Sequence, residues 1–286
     1  MTSSLLVLSM TISIHKGDNM NKKFGFIGVG NMATAILNGM LSSSFVNAKN
    51  VYLFDLDTAK CGDFISRGAN LSADISELTK NSDVIVLAVK PQNYAEVLDT
   101  LSTLDLTDKI FVSIAAGISI AYIRELLKEN VKVVRVMPNT PLLISKGASA
   151  LSGSDNLTAD EFGLVEKMFS LSGTTAVLDE AHMNEVIAVN GSSPAFIYLF
   201  AKAIVDYAVS CGIDKNDALN LICATLEGSA QMMRNSEDDI DTLIRKVSSP
   251  GGTTIAALNS FAENNFTGII NEALTACTNR AEELGK

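Results

Sequence analysis

Between Lys23 and about Asp179, short apolar runs alternate with amphipathic stretches, and after Asp179 the alternation stops. The runs are KFGFIGV (23–29), VYLFD (51–55), VIVLAV (84–89), IFVSIAA (110–116), VKVVRVM (131–137) and TTAVLD (174–179). Stretches such as NMATAILNGMLSS and SIAYIRELLKE separate them. Near-continuous Val, Ile and Phe without polar alternation predicts parallel strands covered on both faces by helices. The fold class that follows is α/β, a doubly wound parallel sheet. From EAHMNEVIAVNG to GIINEALTACTNRAEELG only helical spacing remains, which predicts an all-helical C-terminal domain. Pro194 sits where a helix can begin, since its missing N–H is not needed in the first turn. The stretch IAVNGSSPAFIYLFAKAIVDYAV is apolar on nearly every face, as either a central core helix or one buried against a second subunit.

The expected domains are 20–179, binding a dinucleotide, and 180–286, binding substrate and dimerising. A chain of 286 residues with 47% hydrophobic content has room for both cores. Residues 1–19 contain the apolar run LLVLSMTISI, too short to span a bilayer and without a basic leader. Met20 opens MNKKFGFIGVG, a natural start, so residues 1–19 are expected to be a non-native or disordered extension.

A net charge of −10 argues against nucleic acid or anionic membrane as partners. Cys61, Cys211, Cys223 and Cys277 are scattered, which fits free thiols in a reducing cytoplasm rather than a disulfide framework or zinc site. With only His15 and His182, a His-ligated metal or a Ser-His-Asp triad has little material, and no metal is expected.

The stretch GFIGVGNMATAI follows the first strand and opens a helix, with Gly28, Gly30 and Ala33 in the G-x-G-x-x-A spacing of a Rossmann-type nucleotide site. Gly28 permits the turn, Gly30 lets backbone approach a pyrophosphate, and Ala33 allows close packing. Val29, Asn31 and Met32 complete the loop, whose helix N-terminus favours anions. Asp55 ends the second strand, where an acid binds the ribose hydroxyls of NAD; it could instead cap the helix starting near Thr58. Asp57 adds negative charge, and no arginine follows until Arg67, so NADH is favoured over NADPH. Further strand ends supply Ala88, Val89, Lys90 and Pro91, then Ala116 and Gly117. Asn139, in the rigid turn MPNTP, either shapes that turn or lies beside a nicotinamide.

In RKVSSPGGTTIAAL one helix ends and another begins, leaving unshielded amides suited to a small carboxylate. Together with FIGVGNMA, LAVKP, VRVMPNTP and NGSSPAFIY, this stretch resembles the pyrroline-5-carboxylate reductase family in order from Met20 onward. The resemblance implies a layout like that of 6-phosphogluconate dehydrogenase and hydride transfer from NADH or NADPH to 1-pyrroline-5-carboxylate, giving L-proline. It implies an interlocked homodimer, up to a ring of five dimers. By motif, Ser249, Gly251, Gly252 and Thr253 would line the carboxylate site and Thr254 would reach the ring nitrogen. Glu237 matches an acid preceding the signature, or is solvated surface. Many members carry neutral residues after the second strand and favour NADPH; here Asp55-Leu56-Asp57 stands there. The alternatives are a 3-hydroxyacid dehydrogenase, for which Lys202 is the candidate lysine at too long a spacing, and a non-catalytic nucleotide sensor.

Overall fold

The computed structural model describes residues 21–127 and 130–285; the expectation for residues 1–19 lies outside them. The chain divides into two compact units between Met183 and Asn184.

In the first unit, the described strands are β1 (Phe24–Ile27), β2 (Val51–Phe54), β3 (Asn70–Leu71), β4 (Val84–Leu87), β5 (Ile110–Ser113), β6 (Lys132–Met137), β7 (Gly147–Gly153) and β8 (Gly173–Val177). They form one sheet in the order β3-β2-β1-β4-β5-β6-β7-β8. The helices are α1 (Asn31–Ser42), α2 (Gly62–Ser66), α3 (Ile75–Asn81), α4 (Tyr94–Leu101), α5 (Ile120–Leu127) and α6 (Ala159–Ser170).

Strand side chains alternate between faces, and the apolar runs sort accordingly. Phe24, Phe26, Val84, Val86 and Val112 join one core with Ile36 and Met40 of α1 and Val165 of α6. Ile27, Ile85, Leu87 and Phe111 join the other, with Leu98 of α4 and Ile123 of α5. Both faces are therefore dry, which is why the strands read as unbroken apolar runs.

β1 pairs in parallel with both β2 and β4, so Phe26 faces Leu53 on one side and Val86 on the other. The strand order reverses there, and the carboxyl edges of β1 and β4 open a crevice.

The doubly wound, mostly parallel sheet stands as expected, with one antiparallel step at its edge. β7 runs antiparallel to β6, and β8 is parallel to β7. GASALSG lacks the β-branched signal of its neighbours, so nothing in its composition announces a strand. Only residues 138–146 join β6 to β7, too little for the crossover that a parallel neighbour needs.

The second unit carries a π-helical turn (Ile187–Gly191) and α7 (Ser193–Ser210), α8 (Lys215–Asn235), α9 (Ile240–Lys246), α10 (Thr253–Glu263) and α11 (Phe266–Leu284). Pro194 occupies the first turn of α7, as expected. Among the described residues, Val205, Ala218 and Ile222 form a small core between α7 and α8. Leu199 and Tyr207 on α7 remain 69% and 71% exposed within this chain. No helix of the described residues is long and apolar enough to cross a membrane.

Candidate active site

β1 delivers the chain to Gly28 at φ +92°, and a Cβ there would lie 2.9 Å from the carbonyl carbon and oxygen of Ala88. Only glycine fits this close passage over the end of β4. The Gly28 amide donates to the Phe54 carbonyl at 2.8 Å, tying the loop to β2. Gly30 then caps α1 with no side-chain acceptor, and the first turn of the helix carries no acid. A Cβ on Gly30 would enter open space, with nothing within 4 Å. Ala33 is buried against the sheet, Met32 is half-buried and Asn31 is exposed. Unshielded amides, the positive end of a helix and free room above Gly30 fit a pyrophosphate group.

Asp55, directly after β2, turns toward this loop. Its Oδ2 accepts the Val29 amide at 2.8 Å. Its Oδ1 accepts the Asp57 amide at 2.9 Å and the Lys60 ammonium at 3.1 Å. Burial raises the Asp55 carboxyl, but the bonds from Val29, Asp57 and Lys60 together outweigh it and hold the group below its ordinary value. The 3-10 turn Thr58–Cys61 is capped by Asp57, through the Ala59 amide, rather than by Asp55. Lys60 belongs to no motif in the sequence and joins this group only because the turn after the acid brings its ammonium back to Asp55.

The other strand ends converge on the same edge of the sheet. Ala88 and Val89 are half-buried beyond β4, Lys90 is exposed, and Pro91 opens a 3-10 turn. Ala116 and Gly117 follow β5, with Gly117 at φ +82°. Beneath this edge Tyr94 donates to the Leu87 carbonyl at 2.8 Å and shares a 3.0 Å hydrogen bond with Ser113. Burial pushes the phenol up, so it stays neutral. Asn139 is buried, and its side-chain oxygen accepts the Ala148 amide at 2.9 Å, joining the start of β7 to the end of β6.

In the second unit, α9 stops at Lys246 and α10 starts at Thr253. Gly251 adopts φ +72°, and a Cβ on Gly252 would meet Ser249 Oγ at 2.7 Å. The Gly252 amide donates to the Ser249 carbonyl at 3.0 Å, folding the loop into a tight turn. Gly252 caps α10 without a side-chain acceptor, and both Thr253 and Thr254 are exposed. The loop is thus a second cradle of uncapped amides, with two hydroxyls beside it. Glu237 is exposed on the turn before α9, whereas Ser249 lies on the turn after it. Next to Glu237, Asp238 is taken by Lys246. Lys202 is exposed on α7 and paired with Asp206, far from the environment of a catalytic lysine.

The description "Pyrroline-5-carboxylate reductase dimerisation" matches residues 180–284, and "NADP oxidoreductase coenzyme F420-dependent" matches residues 23–117. The chain is 34% identical over 267 residues to the pyrroline-5-carboxylate reductase of Methanosarcina acetivorans, covering 93% of this chain and 99% of that protein. It is 37% identical over 270 residues to that of Haemophilus influenzae, covering 92% and 98%. The crystal structure of Plasmodium falciparum pyrroline carboxylate reductase with NADP bound superposes with a TM-score of 0.84 at 28% identity, covering 93% of this chain and 99% of that one.

Proposed function

The chain belongs to the pyrroline-5-carboxylate reductase family, and from that premise we propose that it reduces 1-pyrroline-5-carboxylate to L-proline, the final step of proline synthesis. The observation that carries the reading is that each unit offers an uncapped helix start, Gly30 on α1 in the first and Gly252 on α10 in the second, in a chain with this family's motifs.

A nicotinamide cofactor, when bound, supplies the hydride for the C=N carbon. The residues that would hold it are Gly28 to Ala33 at the pyrophosphate and, at the adenosine ribose, the turn after β2 that Asp55 positions. Ala88 to Pro91, Ala116, Gly117 and Asn139 would complete the site at the strand ends. In the second unit, Ser249, Gly251, Gly252 and Thr253 would hold the substrate carboxylate through amides and hydroxyls. Thr254 would donate a hydrogen bond to the ring nitrogen, and the proton which that nitrogen gains as the carbon gains hydride would come from water by way of this hydroxyl. Glu237 would complete the substrate site. Such a reaction requires positioning and a proton source rather than a strong nucleophile.

Two acids at the end of β2, with Lys60 engaged by Asp55, support a preference for NADH. The sparse core of the second unit and the exposed apolar side of α7 support an interlocked homodimer, with assembly up to five dimers. Four free cysteines support work in a reducing cytoplasm.

The test is to mix protein, NADH or NADPH, and 1-pyrroline-5-carboxylate, following absorbance at the nicotinamide band and proline by amino-acid analysis. Cofactor oxidation with stoichiometric proline is expected. Tight cofactor binding without turnover would replace the enzyme with a nucleotide sensor.

A further inference from the structure

The proposed preference for NADH has a specific device behind it. A carboxylate offers about four acceptor positions, and three of those on Asp55 are filled by Val29, Asp57 and Lys60. Too little capacity is left to bind both ribose hydroxyls in the manner expected of an acid at this place. Lys60 differs. Its side chain is 47% exposed against 12% for Asp55, and an ammonium has three donors, of which the Asp55 contact uses one. It stands at the tip of β2, the place where the 2′ position of the adenosine ribose lies in dinucleotide folds. A 2′-phosphate arriving there would meet Lys60 but also two carboxylates, one of which already holds the ammonium.

We propose that Lys60 is a masked ligand for a 2′-phosphate and that Asp55 is the positioning residue that masks it. Asp55 therefore sets cofactor choice through Lys60 rather than by touching the ribose hydroxyls. The inference rests on the cofactor reading above. Neutralising Asp55 releases the ammonium and removes one like charge, so the site turns from one that resists a 2′-phosphate to one that holds it.

The test reads binding alone, with calorimetric titration of adenosine 5′-monophosphate and adenosine 2′,5′-bisphosphate into wild type, Asp55→Asn, Asp55→Ser, Lys60→Met and the Asp55→Asn/Lys60→Met double variant. The ratio of the two affinities is the readout, because a loop that is merely loosened weakens both ligands together. In Asp55→Asn and Asp55→Ser the ratio should move toward the bisphosphate by roughly ten- to a hundredfold. Lys60→Met alone should move it by less than about threefold, and the double variant should lose the gain. A gain that survives in the double variant overturns the role of Lys60. A tenfold-order loss of 5′-monophosphate affinity in Asp55→Asn, with the bisphosphate unchanged, overturns the mask and makes Asp55 a direct reader of the ribose. If neither ligand binds any variant, the cofactor reading itself fails, and the inference falls with it.

Discussion

Glu180 Oε1 stands 3.0 Å from the Arg135 guanidinium and accepts the Ile120 amide, also at 3.0 Å. Arg135 is 3% exposed on β6 and donates in addition to the Met183 carbonyl. One carboxylate thus compensates a buried cation and caps the start of α5, fastening the last turn of the first unit to its sheet. Glu180→Ala should destabilise by about 1–3 kcal/mol, less than for a fully buried pair because Glu180 is partly exposed. Glu180→Gln, which keeps an acceptor for Ile120, should lose less. Urea midpoints at constant slope measure this, and wild-type midpoints in both variants would show that the contact contributes nothing.

Gly28 and Gly30 separate folding from binding. Gly28→Ala forces a Cβ against the Ala88 backbone at positive φ and should lower stability by roughly 1–3 kcal/mol. Gly30→Ala meets nothing and should melt like wild type while binding cofactor about tenfold or more weakly, since its methyl enters the pyrophosphate's approach. Thermal melts beside NADH titrations decide it. Equal affinity in Gly30→Ala would move the pyrophosphate elsewhere.

Thr254→Ala should lower kcat by roughly ten- to a thousandfold with little change in NADH affinity, because its hydrogen bond serves mainly the transition state. Thr254 is exposed at the start of α10 and has no evident role in the fold, so its melting temperature should be unchanged. Wild-type turnover in the variant would take Thr254 out of the chemistry.

The Asp55 tether has a defined pH signature. Its folded pKa lies below the ordinary value, so its contribution is present in full above the unfolded pKa of about 3.9 and fades as pH falls through the lower folded value. The difference in melting temperature between wild type and Asp55→Asn should therefore be constant from neutral pH to about pH 5 and shrink below about pH 4. A difference that grows on acidification would mean that Asp55 is not held as the bonded carboxylate.

The sequence alone determined what depends on neighbours along the chain. The apolar runs, the glycine spacing from Gly28 to Ala33, and the SSPGGTT break between α9 and α10 are local patterns. Each specifies backbone conformation within a few residues, and the structure has those elements where the patterns stand. Asp55 was legible as an acid at a strand end, but its partners were not. Val29 lies twenty-six positions earlier, and which oxygen meets which donor depends on how β1 and β2 pair. The direction of β7 was equally hidden, since Ala, Ser and Gly form strands only where a neighbouring edge such as β6 offers hydrogen bonds. The Arg135–Glu180 pair spans forty-five positions and exists because packing buries the guanidinium and brings the Glu180 carboxylate to it. Local propensity decided the elements; burial and strand pairing, which act between residues far apart in the chain, decided which polar groups meet.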